Sequence, residues 1–173
     1  METSTIKALD IMFKSLTKAL IALTLITNLP LIQPALAKDS SDCYSISDSD
    51  SKNLCLGTAK KDASYCYSIN KSDTKNACLA KVKGDTSYCY SINDYDAKNT
   101  CLGTSKNESS YCYSVNDSDG KNACLAEVKG ETSYCYSISN SDQKNYCLGK
   151  VKRDNSYCYS ISNADLKRRC LGR

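Results

Sequence analysis

The 173-residue chain has no histidine and no tryptophan, one phenylalanine and two prolines. Past residue 37 proline, phenylalanine, tryptophan and histidine are all absent, and every aromatic side chain is a tyrosine. Without histidine there is no imidazole to serve as the usual base for a serine or cysteine nucleophile. The imidazole ligand of mixed zinc sites is missing too. No block of like charge occurs. The net charge is +4, and the three lysines and two acids before residue 38 leave +3 for the remainder, with both signs interleaved. That excludes a nucleic-acid partner of the kind a basic stripe would serve. No apolar run is long enough to span a bilayer, which takes about 20 residues.

The apolar run that does exist lies near the start. Lys14 and Lys18 precede a mostly apolar stretch from Ala19 to Leu31, interrupted at Pro30, and Ala35-Leu36-Ala37 follows Pro34. A basic start, a short apolar stretch and an Ala-x-Ala exit read as a secretory signal peptide over residues 1–37, with cleavage at Ala37/Lys38. Met12 would serve equally well as its first residue. The expectation is an exported chain, secreted or periplasmic, with no stable membrane insertion after signal removal.

Cysteine is abundant: twelve, all after residue 37, at 43, 55, 66, 78, 89, 101, 112, 124, 135, 147, 158 and 170. An even count in an exported chain points to disulfides. The gaps alternate 12 and 11, giving a period of 23. Cut at that period, the chain divides without insertion into 38–60, 61–83, 84–106, 107–129, 130–152 and 153–173, the last two residues shorter than the rest. Such a period means an array in which each unit buries its apolar face on its neighbours. A weaker double period shows where Lys83 and Lys129 open similar segments.

Within a unit, numbered 1 to 23, position 2 is acidic in every copy and position 13 is always aspartate: Asp50, Asp73, Asp96, Asp119, Asp142 and Asp165. Acids favour helix starts, where free N–H groups and the dipole attract negative charge. Tyr, Cys and Ile then fall at positions 5, 6 and 9, and Cys, Leu and a small or apolar residue at 18, 19 and 22, a helical stripe in both halves. Lysine at 23 followed by Gly84 or Gly130 is a stop pattern. The predicted fold is all-α, a short solenoid of six disulfide-stapled helical hairpins. The rival is a cysteine-stapled β-solenoid, because Tyr-Cys-Tyr-Ser-Ile is rich in strand formers and could alternate.

The nearest cysteines stand 11 apart, whereas zinc and cluster sites use ligands two to four residues apart and redox pairs are closer still. Structural disulfides are the better reading. Pairing at a separation of 12 uses all the cysteines: Cys43-Cys55, Cys66-Cys78, Cys89-Cys101, Cys112-Cys124, Cys135-Cys147 and Cys158-Cys170. Pairing at 11 strands Cys43 and Cys170. No metal and no cofactor are expected.

Two tyrosine columns divide by behaviour. Position 5 holds Tyr65, Tyr88, Tyr111, Tyr134 and Tyr157 but Asp42 in the first unit. This column reads as packing on the preceding unit, with Asp42 marking an exposed end and Arg168-Arg169 a polar cap at the other. Position 7 is tyrosine six times: Tyr44, Tyr67, Tyr90, Tyr113, Tyr136 and Tyr159. Lying opposite the apolar stripe, it is the candidate binding surface, since tyrosine offers rigid amphipathic contact area. The competing reading is packing on a neighbouring helix of the same unit. Asp48-Ser49-Asp50 and Asp117-Ser118-Asp119 lack the further ligands of a calcium loop and read as turns. Asn70, Asn107 and Asn116 open glycosylation sequons.

Six near copies leave no unique constellation for catalysis. The expected function is a non-enzymatic scaffold or binding surface for a protein or glycan. A thiol-based metal or redox buffer and an ice- or surface-binding β-solenoid are the alternatives.

Overall fold

The computed structural model describes residues 40–172; the signal-peptide segment and its cleavage point lie outside them. A short helix and a long helix recur in strict alternation. The short ones are Ser41–Tyr44, Ala63–Tyr67, Ser87–Tyr90, Ser109–Tyr113, Thr132–Tyr136 and Ser156–Tyr159. The long ones are Ser49–Lys60, Ser72–Lys83, Tyr95–Lys106, Ser118–Lys129, Ser141–Lys152 and Ala164–Leu171. No strand occurs among the described residues. The β-solenoid is therefore corrected. Strand alternation would turn Tyr65, Tyr67 and Ile69 to one side, yet Cys66 and Ile69 are buried while Tyr67 is exposed. Ile69 N–H instead bonds the Cys66 carbonyl at 3.1 Å, closing a helical turn.

The long helices begin two residues earlier than the position-13 aspartates imply. Position 11 is the N-cap: Asp48 accepts from Ser51 N–H at 2.8 Å, Asp94 from Ala97 at 2.7 Å and Asn140 from Gln143 at 2.9 Å. The first five long helices end in the left-handed region at position 1 of the following unit, on Gly84 and Gly130 but also on Lys61, Asn107 and Arg153. Four- and five-residue helices are not stable alone. Here each is bonded to its long helix through a disulfide between cysteines 12 apart in sequence, and the six bonds leave no cysteine free. The position-9 residues, Ile46, Ile69, Ile92, Val115, Ile138 and Ile161, are fully buried beside those sulfurs.

The units join through devices that recur with little change. The position-13 aspartate accepts two backbone N–H bonds from the next unit: Asp50 from Asn70 and Lys71 at 2.9 and 3.0 Å, Asp96 from Asn116 and Asp117 at 2.8 and 2.9 Å. The position-16 asparagine, Asn99 excepted, donates to a carbonyl one unit on, as Asn53 does to Ser68 at 3.2 Å and Asn76 to Ser91 at 3.1 Å. A residue without bulk at position 20 lies under the next disulfide; a Cβ on Gly57 would stand 3.1 Å from Cys66 Sγ and 3.1 Å from Cys78 Sγ. The position-5 tyrosine packs on the preceding core, Tyr65 against Cys43, Ile46 and Leu56.

The same devices connect the sixth unit to the first. Asp165 accepts from Ser47 N–H at 3.1 Å and Asp48 N–H at 3.3 Å, and Arg168 donates to the Ser45 carbonyl at 2.6 Å. Gly172 lies under the Cys43–Cys55 bond as Gly57 lies under the next one. The last long helix packs against both helices of the first unit. The six hairpins thus close into a ring, with long helices inside and short helices outside. This overturns the reading of two capped ends: Arg168 stands where asparagine stands elsewhere and makes the equivalent bond across the closure. The one device missing there involves Asp42, which replaces the position-5 tyrosine.

Candidate functional site

Two surfaces of the ring carry side chains that assembly alone does not require. The first is a row of clamps along the outer edge. Each long helix from the first to the fifth ends in lysine at position 23. Its ammonium donates to the position-7 tyrosine of its own unit and the position-5 tyrosine of the next. Lys83 reaches Tyr67 at 2.6 Å and Tyr88 at 3.0 Å; Lys129 reaches Tyr113 and Tyr134, both at 2.9 Å. Lys60, Lys106 and Lys152 repeat the pattern. Each ammonium also lies about 5 Å from the centroids of both rings, within cation–π range.

The position-7 tyrosines are exposed, Tyr44, Tyr67, Tyr90, Tyr113 and Tyr136 by 53–56 % and Tyr159 by 66 %. They are not wholly free, because the lysine holds the hydroxyl. Tyr159 has no such lysine among the described residues, which accounts for its greater exposure. The lysine bond holds the Tyr44, Tyr67, Tyr90, Tyr113 and Tyr136 phenols below their ordinary value. The same bonds raise the lysines above theirs. The lysine at position 23, read in the sequence only as a helix stop, is the residue that ties the two tyrosine columns together. Its invariance from Lys60 to Lys152 was the available signal.

The second surface is the interior of the ring. A cavity of about 600 Å³ opens there, and every one of the six long helices contributes to its wall. The lining side chains come chiefly from positions 17 and 21. Position 17 reads Leu54, Ala77, Thr100, Ala123, Tyr146, Arg169, and position 21 reads Thr58, Lys81, Thr104, Glu127, Lys150. These two columns differ from unit to unit more than any core position. Lys150 Nζ bonds Glu127 Oε2 at 2.5 Å, one unit apart. The Arg169 guanidinium stands 5.7 Å from the centroid of Tyr146. The near copies thus differ chiefly along this inner wall.

Among the described residues no group of three or more Cys, His, Asp or Glu is placed to hold a metal ion, and no helix is long and apolar enough to cross a membrane. All twelve sulfurs are in disulfides, so in this oxidised form none is available as a thiolate ligand. Bonds of this kind persist in oxidising surroundings. Compared with protein-family models, curated proteins and solved structures, the chain returns no match.

Proposed function

We propose that the protein is an exported, secreted or periplasmic, non-enzymatic scaffold whose outer edge binds a protein or glycan through its tyrosine–lysine clamps. The observation behind this is the exposure of five lysine-braced tyrosines at equivalent places on a disulfide-fixed frame. Bracing lowers the entropy lost when an aromatic ring is immobilised against a partner. A ring face flanked by a hydroxyl and an ammonium suits sugar stacking with hydrogen bonding, or an acidic protein surface. No nucleic-acid partner is proposed.

The test is a binding screen of the oxidised protein against polysaccharides and purified exported proteins. It is repeated with Tyr67, Tyr90 and Tyr113 all changed to serine. These side chains are exposed, so the variant should keep its circular dichroism while losing most of its binding. A folded triple variant that binds as well as the parent would end this reading.

A further inference from the structure

The interior cavity is the place where the six units stop being copies. Its two halves differ in chemistry. The first three units supply Leu54, Thr58, Ala77, Thr100 and Thr104, small or apolar apart from Lys81. The last three supply Glu127, Tyr146, Lys150 and Arg169. A second, adjoining cavity of about 240 Å³ shares Tyr146, Lys150 and Arg169 with the first and is lined also by Val151 and Leu166. That volume is close to the lower bound of small-molecule sites, roughly 300 Å³.

Among the described residues of the wall, Lys150 and Arg169 stand beside one acid, Glu127. Glu127 is committed to Lys150. Arg169 is half-buried, stacks on Tyr146 and makes no ion pair among the described residues. A guanidinium is weakly hydrated and presents a fixed fork of donors, so it gives up little when an anion replaces water. The field agrees with the geometry. Burial pushes the Tyr146 phenol up, yet Arg169, Lys150 and Lys81 together hold it below its ordinary value. Glu127 is likewise pushed up by burial and brought below its ordinary value by Lys150 and Lys81. Positive potential converges on this half of the cavity.

We infer that the cavity is a binding site for a small amphipathic organic anion, its negative group held by Arg169 with Lys150 and its apolar body lying along Tyr146, Val151 and Leu166. Glu127 competes with such a ligand for Lys150 and sets its affinity. This site is independent of the outer clamps and stands or falls apart from them.

The probe is 1-anilinonaphthalene-8-sulfonate, followed by fluorescence with the intact, oxidised protein, against the uncharged N-phenyl-1-naphthylamine. One sulfonate per chain is expected. Arg169→Gln should weaken it by about tenfold, the order expected for loss of one charge-assisted contact, while the neutral probe changes by less than about twofold. Glu127→Gln should tighten the sulfonate severalfold, an outcome that a merely loosened fold would not single out for the charged probe. The inference is overturned if the parent binds no sulfonate, if about five bind per chain as the outer lysines would allow, or if neither variant separates the charged probe from the neutral one.

Discussion

The outside of the ring repeats nearly the same residues six times, and the inside does not. Outer positions 4 to 8 read Ser-Tyr-Cys-Tyr-Ser in five units and Ser-Asp-Cys-Tyr-Ser in the first. Inner position 17 changes from leucine through alanine, threonine and tyrosine to arginine. The reason is mechanical. An outer or joint residue must fit the unit that follows it, so each change has to suit two units at once. A residue at position 17 rests on one side against the core of the following unit, as Leu54, Ala77, Ala123 and Tyr146 do, but on the other it meets open space in the ring, so its size can change with fewer neighbours to refit. What repeats builds the ring; what varies is left to give the ring a chemistry.

The staples should produce the largest effect, because each one joins an outer helix to an inner one. A closed loop of this length contributes about 3 kcal/mol in the chain-entropy account, whose mechanism is debated. Six such loops exceed the usual net stability of a domain, about 5–15 kcal/mol. Reduction with a small phosphine should abolish the helical dichroism at 222 nm along with every interior contact. Retention of that signal after complete reduction would show that the inner helices stand without the outer layer.

Acid is next, and it acts on the joints. The carboxyls of Asp50, Asp73, Asp96, Asp119, Asp142 and Asp165 all lie below their ordinary value, chiefly because each accepts backbone N–H bonds from the following unit. A lowered folded-state value means that the stabilisation is complete above the unfolded carboxyl value near 3.9 and is lost as pH falls through the folded value. Six joints of one kind lose it over one narrow range, so unfolding should be steep below about pH 3.9. The closing joint has the longest bonds of the joints described, 3.1 and 3.3 Å at Asp165. The Ser47 and Asp48 amides should therefore exchange with deuterium at a higher pH than those of Asn116 and Asp117. Equal exchange at both places would mean that the closure is no weaker than any other joint.

How much of this was readable beforehand follows the same division. The 12/11 alternation of cysteines selects the hairpin and its staple, because only the 12-residue pairing leaves no thiol over. The acids and the Lys-Gly stops place the helices to within two residues. The aspartate at position 13 of each unit misleads slightly. It sits near a helix start, where an acid is expected anyway, and its carboxylate is spent on the neighbouring unit. Closure is not spelled by any residue, since it depends on the rotation from each unit to the next, which must add up to a full turn over six units. Asp42 and Arg168 were visible as exceptions, but an exception at an end reads equally as a cap or as a seam. The cavity was hidden for the same reason: positions 17 and 21 vary openly in the sequence, yet without closure they have no inside to face.

A pair of valine substitutions sharpens the contrast at moderate cost. Gly103 belongs to a joint, and a Cβ there would lie 2.8 Å from Cys112 Sγ and 3.1 Å from Cys124 Sγ. Gly103→Val overfills that contact and should cost about 1–3 kcal/mol. Thr100 lies one turn earlier on the same helix, facing the cavity. Thr100→Val should change stability by about 0.5 kcal/mol or less. Urea midpoints decide it, and equal losses would show that the cavity wall is as constrained as the joints.

The smallest effect concerns the bend that carries the chain from the inner layer back to the outer one. That bend needs a left-handed residue at position 1 of each following unit. Gly84 and Gly130 adopt it with φ of 68° and 70°, whereas Lys61 and Arg153 adopt it at 55° and 56° with a side chain attached. For an L-residue this conformation costs about 1–2 kcal/mol, and glycine is nearly free of it. Glycine also has more freedom to lose on folding, which returns part of the gain. Lys61→Gly and Arg153→Gly should each therefore stabilise by roughly 0.5–1 kcal/mol, a rise of roughly 1–4 °C in the melting midpoint for a chain of this size. Both side chains are exposed, and the backbone N–H of Asp62 bonds the Gly57 carbonyl, and that of Asp154 the Gly149 carbonyl, whichever residue precedes it. The two sites lie two units apart around the ring, so the double variant should show the sum of the single effects. A fall in the midpoint for either would mean that the lysine or arginine stem covers apolar surface at the edge of the outer layer.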